Sequence, residues 1–262
     1  MSYPAFHTMA QSARTPAGYV NTFRDLNASC SANTYLGLHT LRSYDALGCS
    51  QWCDNTTLCT AFNIYVERDP SLNPTIPDAT TTANCPNPSS ITNYKCTLWG
   101  SGVDAASTNN YGGWRDQFQV VIAGSNGYAK TNNTTPPSQP GWNEPTKCGG
   151  AIDRPSCFLG SDFYPGPYDP SVCAAYANAQ TVLNKKNAKS NKYSPCNMFN
   201  AYMVKKNGKP LGTYCSLYTE DVDAGKYGTF KGAWSGKDFY GLESSWTYTL
   251  SKQKTGDASQ DD

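Results

Sequence analysis

Two histidines, 20 carboxylates and 11 cysteines are the residues of this chain most able to do chemistry, and their spacing limits which chemistry that is. Catalysis needs an acid, base or nucleophile held against a partner group. His7 and His39 stand far apart in different settings, and neither has a serine nucleophile motif nearby. No Gly-rich phosphate loop and no His-Glu-x-x-His occurs. The one acidic cluster, Glu220-Asp221-x-Asp223, follows Cys215-Ser-Leu-Tyr218 in a polar stretch. Its oxygens would suit calcium, but a solvated turn is the favoured reading. Cys49-x-x-x-Cys53 has a spacing open to zinc, but both histidines lie outside it. The expectation is a protein without a catalytic set, a cofactor or a metal.

The cysteines belong instead to a pattern that occurs twice. Cys59-Thr-Ala-Phe62-Asn63-Ile-Tyr65 is matched by Cys196-Asn-Met-Phe199-Asn200-Ala-Tyr202. Upstream, Tyr44-Asp45-x-x-x-Cys49 is echoed by Tyr168-Asp169-x-x-x-Cys173. Downstream, Cys96-Thr-Leu98-Trp99 is echoed by Cys215-Ser-Leu217-Tyr218, and Trp114-Arg-Asp-Gln-Phe118 more loosely by Trp234-x-x-x-Asp238-Phe239. Landmarks repeated in one order imply a tandem duplication of a cystine module. Such modules commonly serve recognition, where two weak sites add by avidity.

Composition agrees with small, stapled domains. Leu, Ile, Val and Phe make up roughly 14% of the chain, below the level typical of aliphatic-cored domains. The net charge is only +1, and 18 Tyr, 6 Trp and 11 Cys cover the shortfall. Disulfides commonly support such cores, in oxidising compartments, so the chain reads as secreted. Candidate glycosylation sites are Asn27, Asn55, Asn132 and Asn133, each in Asn-x-Ser/Thr. No apolar run approaches a membrane span. The start, Met1-Ser-Tyr-Pro-Ala-Phe-His, lacks the apolar core of a leader. A secreted reading therefore takes Met1 as replacing a removed leader or as a misjudged gene start.

The elements that must position these residues follow from local signals. Module 1 spans 18–124, with a helix capped by Ser43 and running from Tyr44 to about Asp54, Leu47, Cys49 and Cys53 facing inward. Alternation from Cys59 to Val66 predicts a strand. A Pro/Thr/Asn-rich loop from Asp69 to Lys95 follows, then strands near Cys96–Trp99 and Gln117–Ile122. Residues 125–145 read as a Pro/Thr/Asn-rich linker. Module 2 spans 146–250; Asp169 caps its helix with Pro170 at the first position, and Val172, Cys173, Tyr176, Ala179 and Leu183 share a face. Asn207-Gly208 predicts a two-residue hairpin turn. Residues 251–262 form a polar tail expected to fray. The fold class is α+β: two repeated modules, each an antiparallel sheet on one helix.

Comparison of the copies aligns Cys30 with Cys157, Cys49 with Cys173, Cys59 with Cys196 and Cys96 with Cys215. Cys53 and Cys85 occur only in the first copy, where Ala177 is the counterpart of Cys53 in the second. Residues present and absent together favour a Cys53–Cys85 bond, with Cys49–Cys96 and Cys173–Cys215 as shared bridges. Cys30–Cys59 and Cys157–Cys196 complete that set, although six cysteines allow 15 arrangements. Cys148 has no counterpart, and is expected to be free, to join a second chain in self-association, or to bond a missing N-terminal segment.

A helix carrying cysteine, then Cys-x-x-Phe-Asn-x-Tyr, then Cys-x-Leu-Trp/Tyr resembles the PAN/Apple domain, most nearly a secreted fungal type with two such modules. The resemblance covers nearly all of the chain outside the termini and linker. It implies about five antiparallel strands on one helix and a non-catalytic role in binding proteins and glycans. It also implies a Cys53–Cys59 bond, which would leave Cys30 and Cys85 to pair.

Two features point to a ligand surface. Lys185, Lys186, Lys189, Lys192, Lys205, Lys206 and Lys209 fall in a stretch, Val172–Thr219, without an acidic residue. If the helix end and hairpin tip meet, they form a basic patch for an anionic polysaccharide or membrane surface; a solubilising face offset by acids elsewhere is the favoured alternative. Trp142, in the linker, is the ring expected to be exposed for sugar stacking. The reading is a secreted, glycosylated binding protein for a polysaccharide or cell-surface glycoprotein, acting in adhesion at a cell wall or host surface. Nucleic acid is excluded by a pI near 7.4 in a secreted chain. The rivals are a self-associating matrix protein and an enzyme of unrecognised class.

Overall fold

The computed structural model describes residues 4–78, 80, 82–131 and 135–261. The chain forms two compact units, Met1–Asn133 and Thr134–Asp262. Both are mixed α/β, dominated by antiparallel strands, with few helices and three disulfides across the two.

Unit 1 opens with α1 (Pro4–Ser12), β1 (Tyr19–Leu26), β2 (Ser29–Cys30) and β3 (Tyr35–Leu41). Helix α2 (Ala46–Asp54) leads into β4 (Ala61–Pro70), β5 (Ser90–Trp99), β6 (Thr108–Asn110), β7 (Gly112–Arg115) and β8 (Phe118–Lys130). Its main sheet runs β1-β8-β4-β5-β3, with β7 also on β8. Unit 2 contains β9 (Thr146–Lys147), β10 (Phe158–Pro165), α3 (Pro170–Lys186), β11 (Met198–Lys206) and β12 (Lys209–Tyr218). It closes with α4 (Ala224–Tyr227), β13 (Gly232–Ser235) and β14 (Asp238–Thr249). That sheet runs β10-β12-β11-β14-β13, with β9 also on β14. In both, the strand carrying Phe-Asn-x-Tyr lies centrally, between the Cys-x-Leu strand and a long strand whose outer edge is shared by two short ones.

Local chemistry sets the helix starts. Asp45, not Ser43, caps α2, because its carboxylate accepts the Gly48 N–H at 2.9 Å. Asp169 accepts the Ser171 N–H at 2.9 Å, and Pro170, lacking an N–H, opens α3. Leu47 lies off the buried face of α2 and is 59% exposed. On α3 the buried residues are Pro170, Cys173, Ala174, Ala177 and Thr181, while Leu183 and Ala179 face outward. Asn207 and Gly208 adopt φ of 50° and 84°, the left-handed pair a tight primed hairpin requires.

Stacked rings replace the missing aliphatics. Phe62 stacks on Tyr128 at 4.9 Å and meets Tyr19 edge-on at 5.2 Å. Phe199 stacks on Tyr248 at 4.7 Å and meets Trp142 edge-on at 4.6 Å. Trp142 thus does in unit 2 what Tyr19 does in unit 1, and at 6% exposure it is a core residue and not an open platform. The segment read as a linker is otherwise assigned too: Ser125–Lys130 ends β8, with Ser125 and Asn126 fully buried. The tail also packs. Asp261 accepts N–H bonds from Thr255 and Gly256 at 2.8 and 2.7 Å and a hydroxyl from Tyr193 at 3.0 Å. Burial opposes its ionisation, but these donors outweigh that and hold its carboxyl down at about 2.

Cys49–Cys96 and Cys173–Cys215 tie each helix to the Cys-x-Leu strand. Cys53 bonds Cys59, six residues on, and not Cys85. Helix α2 delivers Cys53 directly over the start of β4, whereas Cys85 sits in the long loop between β4 and β5. With Cys59 taken, Cys30 is an unpaired thiol, and so are Cys85, Cys148, Cys157 and Cys196. The expected Cys30–Cys59 and Cys157–Cys196 bonds are therefore absent, and so is a Cys30–Cys85 bond. Burial pushes the Cys30 and Cys196 thiols up to about 12, leaving them unreactive at neutral pH.

Candidate binding groove

The Phe-Asn pair that announces the motif is structural in both units. Asn63 Oδ1 accepts the Cys30 N–H at 2.9 Å, and its Nδ2 donates to Ser125 Oγ at 2.8 Å and the Asn126 carbonyl at 2.9 Å. Asn200 repeats this with the Ile152 N–H at 3.0 Å, Ser245 Oγ at 3.0 Å and the Trp246 carbonyl at 2.9 Å. Each asparagine is fully buried and satisfies a backbone N–H and a backbone carbonyl of neighbouring segments. Tyr44 and Tyr168 anchor the helix approach: Tyr44 donates to the Gly124 carbonyl at 2.7 Å, with the Ile64 carbonyl 3.4 Å away, and Tyr168 donates to the Ala201 carbonyl at 3.3 Å.

The motif tyrosines lie on the sheet face away from the helix, because side chains alternate along a strand. In unit 2, Phe163, Tyr214 and Tyr202 stand directly opposite one another across β10, β12 and β11. The Tyr202 and Tyr214 rings stack at 5.2 Å, and the Tyr214 hydroxyl lies 2.8 Å from Ser161 Oγ. With Val204, Leu211, Phe230, Tyr240 and Leu242 they line a groove of about 390 Å³. Its walls are aromatic and aliphatic and its rim carries hydroxyls. Phe163 at 38% and Phe230 at 43% exposure leave it open to solvent.

The corresponding line in unit 1 is Thr40, Lys95 and Tyr65. Lys95 Nζ reaches Thr40 Oγ1 at 3.3 Å, Asp69 at 3.6 Å and Glu67 at 4.0 Å, and Asn93 donates to Asp69 at 2.7 Å. Burial, then the neighbouring Asp69 carboxylate, push the Glu67 carboxyl up to about 7 in spite of Lys95 and Arg115. The same face thus carries an ionic cluster in one unit and an apolar groove in the other.

The lysines do not converge. The Cys196 N–H donates to Thr181 Oγ1 at 2.9 Å, which puts the end of α3 beside the start of β11. Lys205, Lys206 and Lys209 lie at the far end of that nine-residue strand, about 30 Å away. Lys206 pairs with Asp238 at 2.7 Å and Lys205 with Glu243 at 3.2 Å, while Lys192 pairs with Asp257 at 2.9 Å. Lys185 reaches the Asp261 carbonyl at 3.4 Å. Lys186 and Lys189 are exposed. Acids distant in sequence neutralise what the local stretch presented as a patch.

Other expected sites separate as well. Asn27 and Asn55 are exposed; Asn132 and Asn133 lie outside the described residues. Asp223 caps α4 through Gly225 and Lys226, and Asp221 accepts from Thr249 at 3.0 Å. Among the described residues no cluster of three or more His, Cys, Asp or Glu is placed to hold a metal. His7 faces Asp25 at 2.8 Å, and His39 stacks on Trp52 at 3.9 Å. Cys148 is 7% exposed and packed beside Ile152 and Tyr218, so its sulfur is not presented to another chain. Sequence reasoning missed the groove because its rings come from four strands and a loop. Its one legible signal was the motif Tyr202.

Comparisons with protein families, with curated proteins and with solved structures find no match. Three disulfides, and no helix among the described residues long and apolar enough to cross a membrane, are compatible with an extracellular protein.

Proposed function

We propose that this chain is a secreted, non-catalytic binding protein, a tandem duplication of a PAN/Apple-like module, which takes a glycan or protein ligand on the open sheet face of unit 2. The observation that carries this reading is the contrast between the two faces. One strand arrangement supports Lys95, Glu67 and Asp69, mutually paired, in unit 1 and an open groove of about 390 Å³ in unit 2. A groove of this size with apolar walls and a few hydroxyls has the make-up of a ligand site. Duplication is favoured by the shared strand order, the shared asparagine bonds and the shared helix-to-strand disulfides. Adhesion at a cell wall or host surface is the role such a protein would serve.

The test is a glycan and cell-surface-protein array probed with the intact chain and with Phe163→Ala and Tyr240→Ala. Both side chains line the groove without being fully buried, so the variants should fold. The expected outcome is a discrete set of hits weakened at least tenfold by either change. Hits indifferent to both variants would remove the groove from the function.

A further inference from the structure

We propose that unit 1 holds a second, separate site, for a neutral β-linked sugar of gluco configuration, with Trp114 as its stacking platform. This inference rests on the reading of the protein as a glycan binder, but on different residues. Arg68, Asn87, Trp114, Gln117, Gln119 and Val121 line an open cleft of about 380 Å³, within the ~300–1,000 Å³ range of small-molecule sites. Trp114 is 68% exposed. A single exposed ring is ordinary on a protein surface; a ring framed by three carboxamides is a different matter. Each carboxamide offers both a donor and an acceptor, which is what a sugar hydroxyl requires. The indole face suits the axial C–H bonds of a pyranose whose hydroxyls are equatorial.

The lining also sets the ligand's charge. It includes no carboxylate and no lysine, and its one cation, Arg68, is tethered by neutral groups. Arg68 Nη1 donates to the Gln119 carbonyl, and the guanidinium lies 4.1 Å over the Phe118 ring. An anionic sugar would meet one tethered charge, whereas a neutral one meets amides on several sides.

The cleft is built by the sequence that distinguishes unit 1. Where unit 2 turns in two residues at Asn207-Gly208, unit 1 inserts the loop between β4 and β5, 71–89. The described residues of that loop are tied to one another and, through Pro86, to the β7–β8 turn. Ser71 N–H donates to the Ser89 carbonyl at 2.8 Å, and Thr75 and Cys85 exchange backbone bonds at 3.0 and 2.9 Å. The Gln117 N–H donates to the Pro86 carbonyl at 3.0 Å, which sets Asn87 beside the β7–β8 hairpin. Trp234, in the matching hairpin of unit 2, instead lies against Phe239 at 5.3 Å.

The experiment follows the indole N–H resonances of the ¹⁵N-labelled full chain during titration with cellotriose and, separately, triacetylchitotriose. The Trp114 signal is assigned by its loss in Trp114→Phe. The expected result is saturable movement of that signal, with millimolar affinity for at least one probe. Binding should weaken at least tenfold in Trp114→Ala, weaken severalfold in Gln119→Ala, and stay unchanged in Phe163→Ala. A Trp114 signal that stays still with both probes at about 10 mM, or Trp114→Ala binding as the parent does, overturns the proposal. Array hits lost in Phe163→Ala, beside a Trp114 signal that stays still with both probes, would leave the unit 2 groove standing and this site refuted. Trp114 movement beside array hits indifferent to Phe163→Ala would do the reverse.

Discussion

Inside each unit one asparagine makes hydrogen bonds that no aliphatic side chain of its size could make. Asn63 and Asn200 each accept one backbone N–H and donate to a serine hydroxyl and a carbonyl. Truncation to alanine leaves those groups buried without partners, at about 1–3 kcal/mol for each group left unsatisfied. Asn63→Ala and Asn200→Ala should each lower stability in urea by about 3 kcal/mol or more; a loss below about 0.5 kcal/mol, the scale of a surface change, would mean that water replaces the amide. Glu67 makes a second residue-level case, with the sign fixed by linkage. Its folded carboxyl titrates at about 7, against an ordinary 4.5, because burial and Asp69 oppose its charge. Between those values the folded state binds more protons than the unfolded one, so stability falls as pH rises. The contribution is fully present below 4.5 and is lost as pH passes through about 7. Glu67→Gln should flatten the decline in urea midpoint between pH 5 and 8. A parent and variant with parallel profiles would place the titration elsewhere.

The helices differ in one atom that sets their stapling. On α2, Cys53 bonds Cys59; on α3 the corresponding residue is Ala177, fully buried in the same cluster as Cys196, the counterpart of Cys59. Ala177→Cys should therefore bond Cys196 without oxidant beyond air and stabilise unit 2 by about 3 kcal/mol in the chain-entropy model. Thiol counting against the parent and a non-reducing peptide map decide it; a variant that gains a free thiol and no bond refutes the equivalence. These pairings show where the sequence was legible. Helix starts at Asp169-Pro170, the Asn207-Gly208 turn and the helix-to-strand bridges rest on local chemistry or on residue patterns that occur in both units. Cys53–Cys85 failed because joint presence in one unit is not proximity: Cys85 lies in the loop between β4 and β5, and Cys53 bonds a partner six residues away. The lysine patch failed for a related reason, since the carboxylates that neutralise it, Asp238, Glu243 and Asp257, arrive from β14 and the tail. Trp142 misled because its polar surroundings hid the place beside Phe199 that it fills.

Across the whole molecule, each unit owns what a domain needs. Unit 1 packs its core around Phe62, Ile64, Leu98 and Tyr128, and unit 2 around Phe199, Met203, Leu217 and Tyr248. The disulfides all close within a unit. A chain of this length per unit buries enough surface to fold alone, particularly when stapled. The two candidate sites fall one to each unit, so the linked chain would gain by avidity over either half if one glycan engaged both. Residues 1–133 and 134–262, produced separately under oxidising conditions, should each unfold in a single cooperative transition. The first half should keep the Trp114 response to cellotriose or triacetylchitotriose, and the second the Phe163-dependent array hits. On immobilised polysaccharide the full chain should be retained at least tenfold more strongly than the better half. Halves that fold and bind, with a full chain no better than either, would show that the two sites never engage one ligand together. A half that fails to fold would show that its core is completed by the other.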